Sequence, residues 1–318
     1  MNDYQQYNFR LEVDEPERID KLISNYLLEY SRSTIQKWIL NNEVLVNGHP
    51  CSQKDKIKSS CNVSIKVKAE TEIDLIPEKI DIDIIDETED YILVNKESGM
   101  VTHIAPGNYT GTLQNALYYK YPELAKVPRT GIIHRLDKNT SGLLVITRNI
   151  PSHYNLANQL QKNKFKKIYH TLISGNIQKP FSIEEPIGRH PINRKKMVVT
   201  DRGKHALSRI RPLDNYQNAS HIQVQIITGR THQIRVHMAH INKPVIGDKL
   251  YGFKKSNFNR VSNIYNSIDN EFSQYLHSYS LSFHDPKNNK EKKYIAPYPK
   301  SYSLLLNEFN KNNNDKKI

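Results

Sequence analysis

GIIHRLDKNTSG, residues 131–142, sets one carboxylate, Asp137, between Arg135 and Lys138. The apolar pair Ile132 and Ile133 precedes it, and GLLVITR (142–148) follows. Two short apolar runs flanking a polar, glycine-containing turn read as core anchors with the turn held at a surface. Neighbouring cations keep a carboxylate ionised. An ionised aspartate in that setting serves as nucleophile, general base or partner of a developing cation. An Arg–Asp pair that merely fixes a loop suits the same residues.

Working outward, YILVN (91–95), IYHTLISG (168–175) and HIQVQIIT (221–228) have the length and β-branched content of strands, as does IDIDII (80–85). Helices are predicted near 153–163 and 231–241, the second stopped by Pro244. Strands dominate and helices fall irregularly between them. The predicted class is α+β, with a mixed, largely antiparallel sheet and a central cleft over 80–308. Before it, Ile19, Leu22, Ile23, Tyr26 and Leu27 form a helical stripe. A second helix is expected at 34–41, capped by Ser31 or Ser33, then a tight turn at Asn47-Gly48 and a strand at 63–68. That makes a small module over 1–68. The acidic stretch 69–79 reads as a linker, and the polar 309–318 as a disordered tail.

The chain has 318 residues and a formal charge of +13. Such a basic balance points to a polyanion, nucleic acid first. The charge is uneven: residues 160–205 hold eleven Lys/Arg against three acids, while 1–68 hold ten against nine. A solvated basic face is the alternative for 160–205. Cys51 and Cys61 form no CxxC pair, so a thiolate zinc site is not expected. Residues 1–12 lack an apolar core, and no run approaches the ~20 apolar residues that span a bilayer. The expected compartment is the cytoplasm, with no membrane partner.

TGRTHQIRVHMAH (228–240) gathers Arg230, His232, Arg235, His237 and His240. Without a carboxylate among them, and with two arginines to repel a cation, no metal site is expected. The Gly229-Arg230 turn before a helix suits anion contact. In FKKIYHTLI (165–173), Tyr169 follows Lys166 and Lys167. It can stack on a base while the lysines hold phosphates, or sit in the core.

Taken together, GIIHRLDKNTSGLLVITR, KKIY and TGRTHQIRVHMAHINKPVIGDKLYG, in this order, resemble the RluA-type family of RNA pseudouridine synthases. RIDKLISNYLLEYSRSTIQKWILNNEVLVNG resembles an S4 RNA-binding domain. YSRSTIQKWIL, VPRTGIIHRLDK, RHPINRKKM and VHMAHINKP bring the chain nearest to members acting on the large ribosomal subunit. The resemblance spans about residues 10–300. It implies a cofactor-free isomerisation in which a flipped-out uridine is detached from N1 and rejoined through C5. It further implies that Asp137 is catalytic, that Tyr169 stacks on the target base, and that Arg235 pairs with Asp137. Arg135 would fill the space the base leaves. Arg230, His232, Lys37, Lys166 and Lys167 would touch RNA or shape the pocket. The implied partner is large-subunit ribosomal RNA or its precursor particle, met by a monomer. The competing readings are an RNA-binding assembly factor with a vestigial site, or a synthase for other ribosomal sites or transfer RNA. Glu97, Ile104 and Ser273 depart from the family pattern, which has Pro, Pro and Arg there.

Overall fold

The computed structural model describes residues 4–13, 15–27, 30, 32–68, 75–105, 107–254, 256 and 274–314. Packing divides the chain into two units, Met1–Leu75 and Ile76–Ile318.

In the first unit, β1 (Tyr4–Leu11) is followed by β2 (Glu17–Arg18), α1 (Ile19–Tyr26), α2 (Arg32–Leu40), β3 (Val44–Val46), β4 (His49–Pro50), β5 (Lys56–Ile57) and β6 (Cys61–Lys68). β1, β6, β3 and β4 form one antiparallel sheet in that order. Asn47 and Gly48 both have positive φ, as a two-residue hairpin requires. The apolar stripe of α1 buries Ile19 and Ile23 against Ile35, Trp38 and Ile39 of α2 and against Val44, Val63 and Ile65. Asp20 is fully buried within α1, and Arg18, Arg32 and Gln36 all donate to it. Burial would raise its pKa; those donors outweigh it and hold the carboxyl low. The expected cap Ser31 lies outside the described residues.

The larger unit continues with β7 (Asp83–Glu87), β8 (Tyr91–Lys96), α3 (Leu113–Lys120), β9 (Ser141–Thr147), α4 (Ile150–Gln161) and β10 (Lys166–Ser174). Then come β11 (Phe181–Glu184), β12 (Ile187–Arg189), β13 (Met197–Val199), β14 (Leu207–Tyr216), β15 (Ala219–Ile226), α5 (Gln233–His240), β16 (Leu276–His284), β17 (Glu291–Ile295) and α6 (Lys300–Asn314). One sheet runs β11-β14-β15-β10-β16-β9-β8-β7, with β17 also on β16. Among the described strands only the β16–β9 pairing is parallel, so the expected α+β, largely antiparallel sheet is what forms.

β8 and β9 are nearly uniform apolar runs because both faces are covered. Ile92, Val94, Leu144 and Ile146 enter one core cluster; Tyr91, Leu93, Leu143 and Val145 enter another, under α4. Asn149 caps α4 by accepting the Ser152 N–H.

Two boundaries differ from expectation. Of the expected linker 69–79, residues 69–74 lie outside the described residues. Its end is bound to the larger unit: the Asn115 amide donates to Ile76 O (2.8 Å), and Glu78 N–H donates to Asn115 O. The expected disordered tail from 309 is instead helical through Asn314; residues 315–318 lie outside the described residues. Tyr302, Leu305 and Phe309 form a helical stripe that packs on Leu172, Tyr216 and Tyr275, and this burial outweighs the polar composition.

Candidate active site

Asp137 lies in the loop between Ile132 and β9, with about a fifth of its side chain exposed. Four consecutive carbonyls of this loop each accept a hydrogen bond. Thr102 Oγ1 donates to Leu136 O (3.0 Å), Thr140 N–H to Asp137 O (3.0 Å), Gly99 N–H to Lys138 O (2.9 Å) and Ser98 Oγ to Asn139 O (2.9 Å). Lys96 Nζ also donates to Lys138 O (3.1 Å). A loop whose carbonyls are held at four consecutive positions has little freedom to wander, so the carboxylate is presented from a fixed base. His134 completes the anchor: its Nε2 accepts the Val145 N–H at 3.1 Å. Burial depresses its pKa to about 3, so it is neutral and structural.

Arg235 comes from α5 and is itself buried. Its Nη1 donates to Asp137 Oδ2 at 3.0 Å; Nε and Nη2 donate to Asp248 at 2.7 and 3.0 Å. The guanidinium also lies 4.8 Å from the Tyr251 ring centroid. Burial alone would lower the Arg235 pKa. The bonds and charge of Asp248, joined by Asp137, outweigh it, and the net direction is up.

His232 precedes α5 with a left-handed backbone, φ 56° and ψ 21°. For a non-glycine residue that conformation costs on the order of 1–3 kcal/mol and is maintained where surroundings fix it. Its Nε2 lies 3.8 Å from Asp137 Oδ2, and its Nδ1 lies 2.7 Å from Tyr251 Oη. Burial lowers its pKa, against the pull of Asp137. Tyr169 is buried on β10. Burial first, and the Asp137 charge in addition, push its phenol up, while the Ser278 hydroxyl beside it opposes this.

The fold thus gathers Asp137, Tyr169, His232 and Arg235 from segments far apart in sequence. Arg135 is exposed on the Asp137 loop, near enough to His232 and His103 for its charge to lower both. Lys167 is half-buried, with its pKa lowered by burial and by Arg230. Arg230 Nε donates to His205 O at 2.8 Å. Lys166 is exposed on β10. Lys37 belongs to the smaller unit and is exposed on α2.

The TGR turn owes its shape to Gln233. Its Oε1 accepts from Thr228 Oγ1 (2.8 Å) and Arg230 N–H (3.0 Å). Sequence reasoning assigned nothing to Asp248 or Tyr251. Their signal was the carboxylate and phenol of GDKLYG, which only folding brings to Arg235. Among the described residues, no group of three or more His, Cys, Asp or Glu is placed to hold a metal.

A family model described as RNA pseudouridylate synthase matches residues 90–240, and one described as S4 domain matches residues 17–60. The chain is 37% identical over 292 residues to the ribosomal large subunit pseudouridine synthase D of Escherichia coli (strain K12), covering 91% of this chain and 90% of that one. The chain belongs to the RNA pseudouridylate synthase family. The synthase of the same name from Neisseria meningitidis serogroup B is 40% identical, with 91% and 78% covered. Human RNA pseudouridylate synthase domain containing 1 shares the fold, with a TM-score of 0.56 and 24% identity, covering 72% of this chain and 89% of that one. Within this pseudouridylate synthase, HRLD and TGRTHQIR are the two segments whose side chains meet, at Asp137–Arg235.

Proposed function

We propose that this synthase converts uridines of large-subunit ribosomal RNA to pseudouridine, with Asp137 as the catalytic group. The observation that carries the reading is the Asp137 carboxylate, bonded by Arg235 and presented from a loop whose four consecutive carbonyls are hydrogen-bonded, with Tyr169 nearby.

The reaction is an isomerisation. The bond from C1′ to N1 breaks, a bond from C1′ to C5 forms, the C5 hydrogen leaves as a proton, and N1 gains one. No redox partner is needed. Arg235 holds the carboxylate oriented, and Asp137 supplies the negative charge that the step needs, whether it attacks, removes the C5 proton or stabilises the sugar cation. A stacked base is out of reach, so the target is flipped out, at a cost of a few kcal/mol. In this reading Arg135 fills the vacated stack and Tyr169 supports the flipped base. Lys166, Lys167, Arg230 and Lys37 of the S4 unit meet phosphate. The domains divide the labour: the S4 unit selects the RNA and the larger unit performs the chemistry. The protein acts as a cytoplasmic monomer. The described helices include none long and apolar enough to cross a membrane.

The test is tritium release from large-subunit RNA labelled at uridine C5. Wild type should release tritium into water and Asp137→Ala should not, with RNA affinity retained. Release by Asp137→Ala would remove Asp137 from its role. Tight binding without release by wild type, on free RNA and on precursor particles, would favour a binding factor.

A further inference from the structure

The Tyr251 hydroxyl meets two polar atoms: it accepts the Met197 N–H at 2.9 Å and lies 2.7 Å from His232 Nδ1. Met197 opens β13, so the phenol oxygen is held by main chain and not by a mobile side chain. Having accepted an N–H, the phenol still has its own proton to place. Among the described residues, Nδ1 of His232 is the one acceptor within reach. A hydroxyl here whose proton pointed elsewhere would leave a donor unmade, which is the costly outcome. Burial also raises the Tyr251 pKa, so the phenol keeps that proton. The bond therefore runs from Oη–H to Nδ1.

A neutral imidazole that accepts at Nδ1 carries its hydrogen on Nε2. Nε2 is the nitrogen turned to Asp137, 3.8 Å from Oδ2. We propose that Tyr251 is a positioning residue that fixes His232 in the Nε2–H tautomer, so that the ring presents a donor, not a lone pair, to Asp137. In the other tautomer a nitrogen lone pair would oppose the carboxylate. The left-handed backbone of His232 fits this duty, because a residue held in that region is fixed by its surroundings. The charged groups acting on the ring are Asp137, Arg235, Asp248 and Arg135. The pair Arg235 and His232 thus brackets one carboxylate with two donors, and Tyr251 touches both. The catalytic meaning of this arrangement rests on the role proposed for Asp137; the tautomer itself does not.

The experiment is nitrogen NMR on the full chain with 15N-labelled histidine side chains, at a pH near 8. His232→Gln identifies the His232 signals by their loss. The expected spectrum has a protonated Nε2 and a bare Nδ1. Tyr251→Phe should shift those signals toward a tautomer mixture and slow single-turnover tritium release about fivefold, the worth of one hydrogen bond, with RNA affinity unchanged. A protonated Nδ1 in wild type, or an unchanged Nε2–H in Tyr251→Phe, would overturn the proposal. If the variant does not fold, the wild-type spectrum alone decides. Should Asp137→Ala retain release while His232 shows Nε2–H, the role of Asp137 falls and the tautomer assignment stands.

Discussion

Asp248→Asn tests whether the Asp137 carboxylate depends on a second, deeper one. The substitution keeps the volume of a side chain that is 1% exposed, and it keeps one oxygen for the guanidinium. It removes the charge and replaces one acceptor by an NH2 that faces Arg235 donors. A hydrogen bond to a charged group contributes roughly 1.5–3 kcal/mol, and stripping a buried ion of its only partner costs about 3–5 kcal/mol. Arg235 retains Asp137 at 3.0 Å, so the lower range applies. At about 2–4 °C per kcal/mol for a unit of 150–250 residues, the expected fall in Tm is roughly 3–12 °C. Arg235, bonded at 2.7 and 3.0 Å to Asp248, loses the fork that sets its plane. A misplacement of about 1 Å costs on the order of 10²-fold in rate. The assays are calorimetry and single-turnover tritium release with protein in excess, with RNA affinity by filter binding. Slow release with unchanged affinity is expected. Release within threefold of wild type despite a lowered Tm would refute the reasoning, because Asp248 would then support the fold and not the geometry of Asp137.

Gly142→Ala should abolish soluble expression or lower Tm by more than the Asp248 variant, because a Cβ would sit 2.3 Å from Ser278 O where β9 meets β16, at φ +107°; a thermal melt decides it. Acidification should destabilise the larger unit. Burial lowers His170 to about 3 and His221 and His277 to about 4, so between pH 6.5 and 4 the unfolded chain binds protons that the folded chain does not. Stability is then lost as pH falls, by up to about 2 kcal/mol per histidine at pH 5, and His170→Phe should show a shallower slope in melts from pH 7 to 5. Arg194, Lys195 and Lys196 lie between β12 and β13; replacing all three by Ala should reduce the slope of log Kd against log salt by roughly 2–3 if each meets a phosphate, whereas an unchanged slope would make this hairpin a solvated face. Deleting residues 1–68 should broaden the choice of uridines more than it slows release at saturating RNA, as mapped by sequencing of the modified sites.

The sequence showed most plainly the elements buried on two sides. YILVN and GLLVIT read as strands because every residue is apolar or small, and both runs lie inside the sheet with a strand on either side. β14, LSRIRPLDNY, was illegible: arginines, a proline and an aspartate mask its alternation, and the register shifts between Pro212 and Asp214. α6 was hidden by its asparagines and lysines, although Tyr302, Leu305 and Phe309 keep helical spacing. For the site, local charge placed Asp137 between cations, but its actual partner is 98 residues away. Pairwise distance across a sheet is set by topology, and no local pattern encodes it. Asp248 was missed for the same reason: a lone carboxylate in a GDK turn reads as a surface turn residue until a buried arginine is found beside it.

The family departures can be weighed by whether main chain or side chain makes the contact. Lys96 is 1% exposed, and its Nζ donates to the carbonyls of Glu97 (2.6 Å), Met100 (2.9 Å) and Lys138 (3.1 Å). Burial draws its pKa down to about 7, against the charges of Asp137 and Glu97. Its three acceptors are all backbone oxygens. A carbonyl is present at position 97 whether the residue is proline or glutamate, so Glu97 leaves the anchor of the Asp137 loop intact. Position 104 differs in kind. Ile104 donates its N–H to Gln114 Oε1 at 3.1 Å, and Gln114 in turn donates to the buried Thr130. A proline has no such proton, so Ile104→Pro would strand the Gln114 oxygen on the segment leading to Gly131. Ile104 thus makes a bond to Gln114 that a proline at this position cannot form. Ser273 lies outside the described residues. Of the two described departures, Glu97 leaves the support of the Asp137 loop unchanged, Ile104 adds a bond to Gln114, and neither touches the Asp137–Arg235 pair.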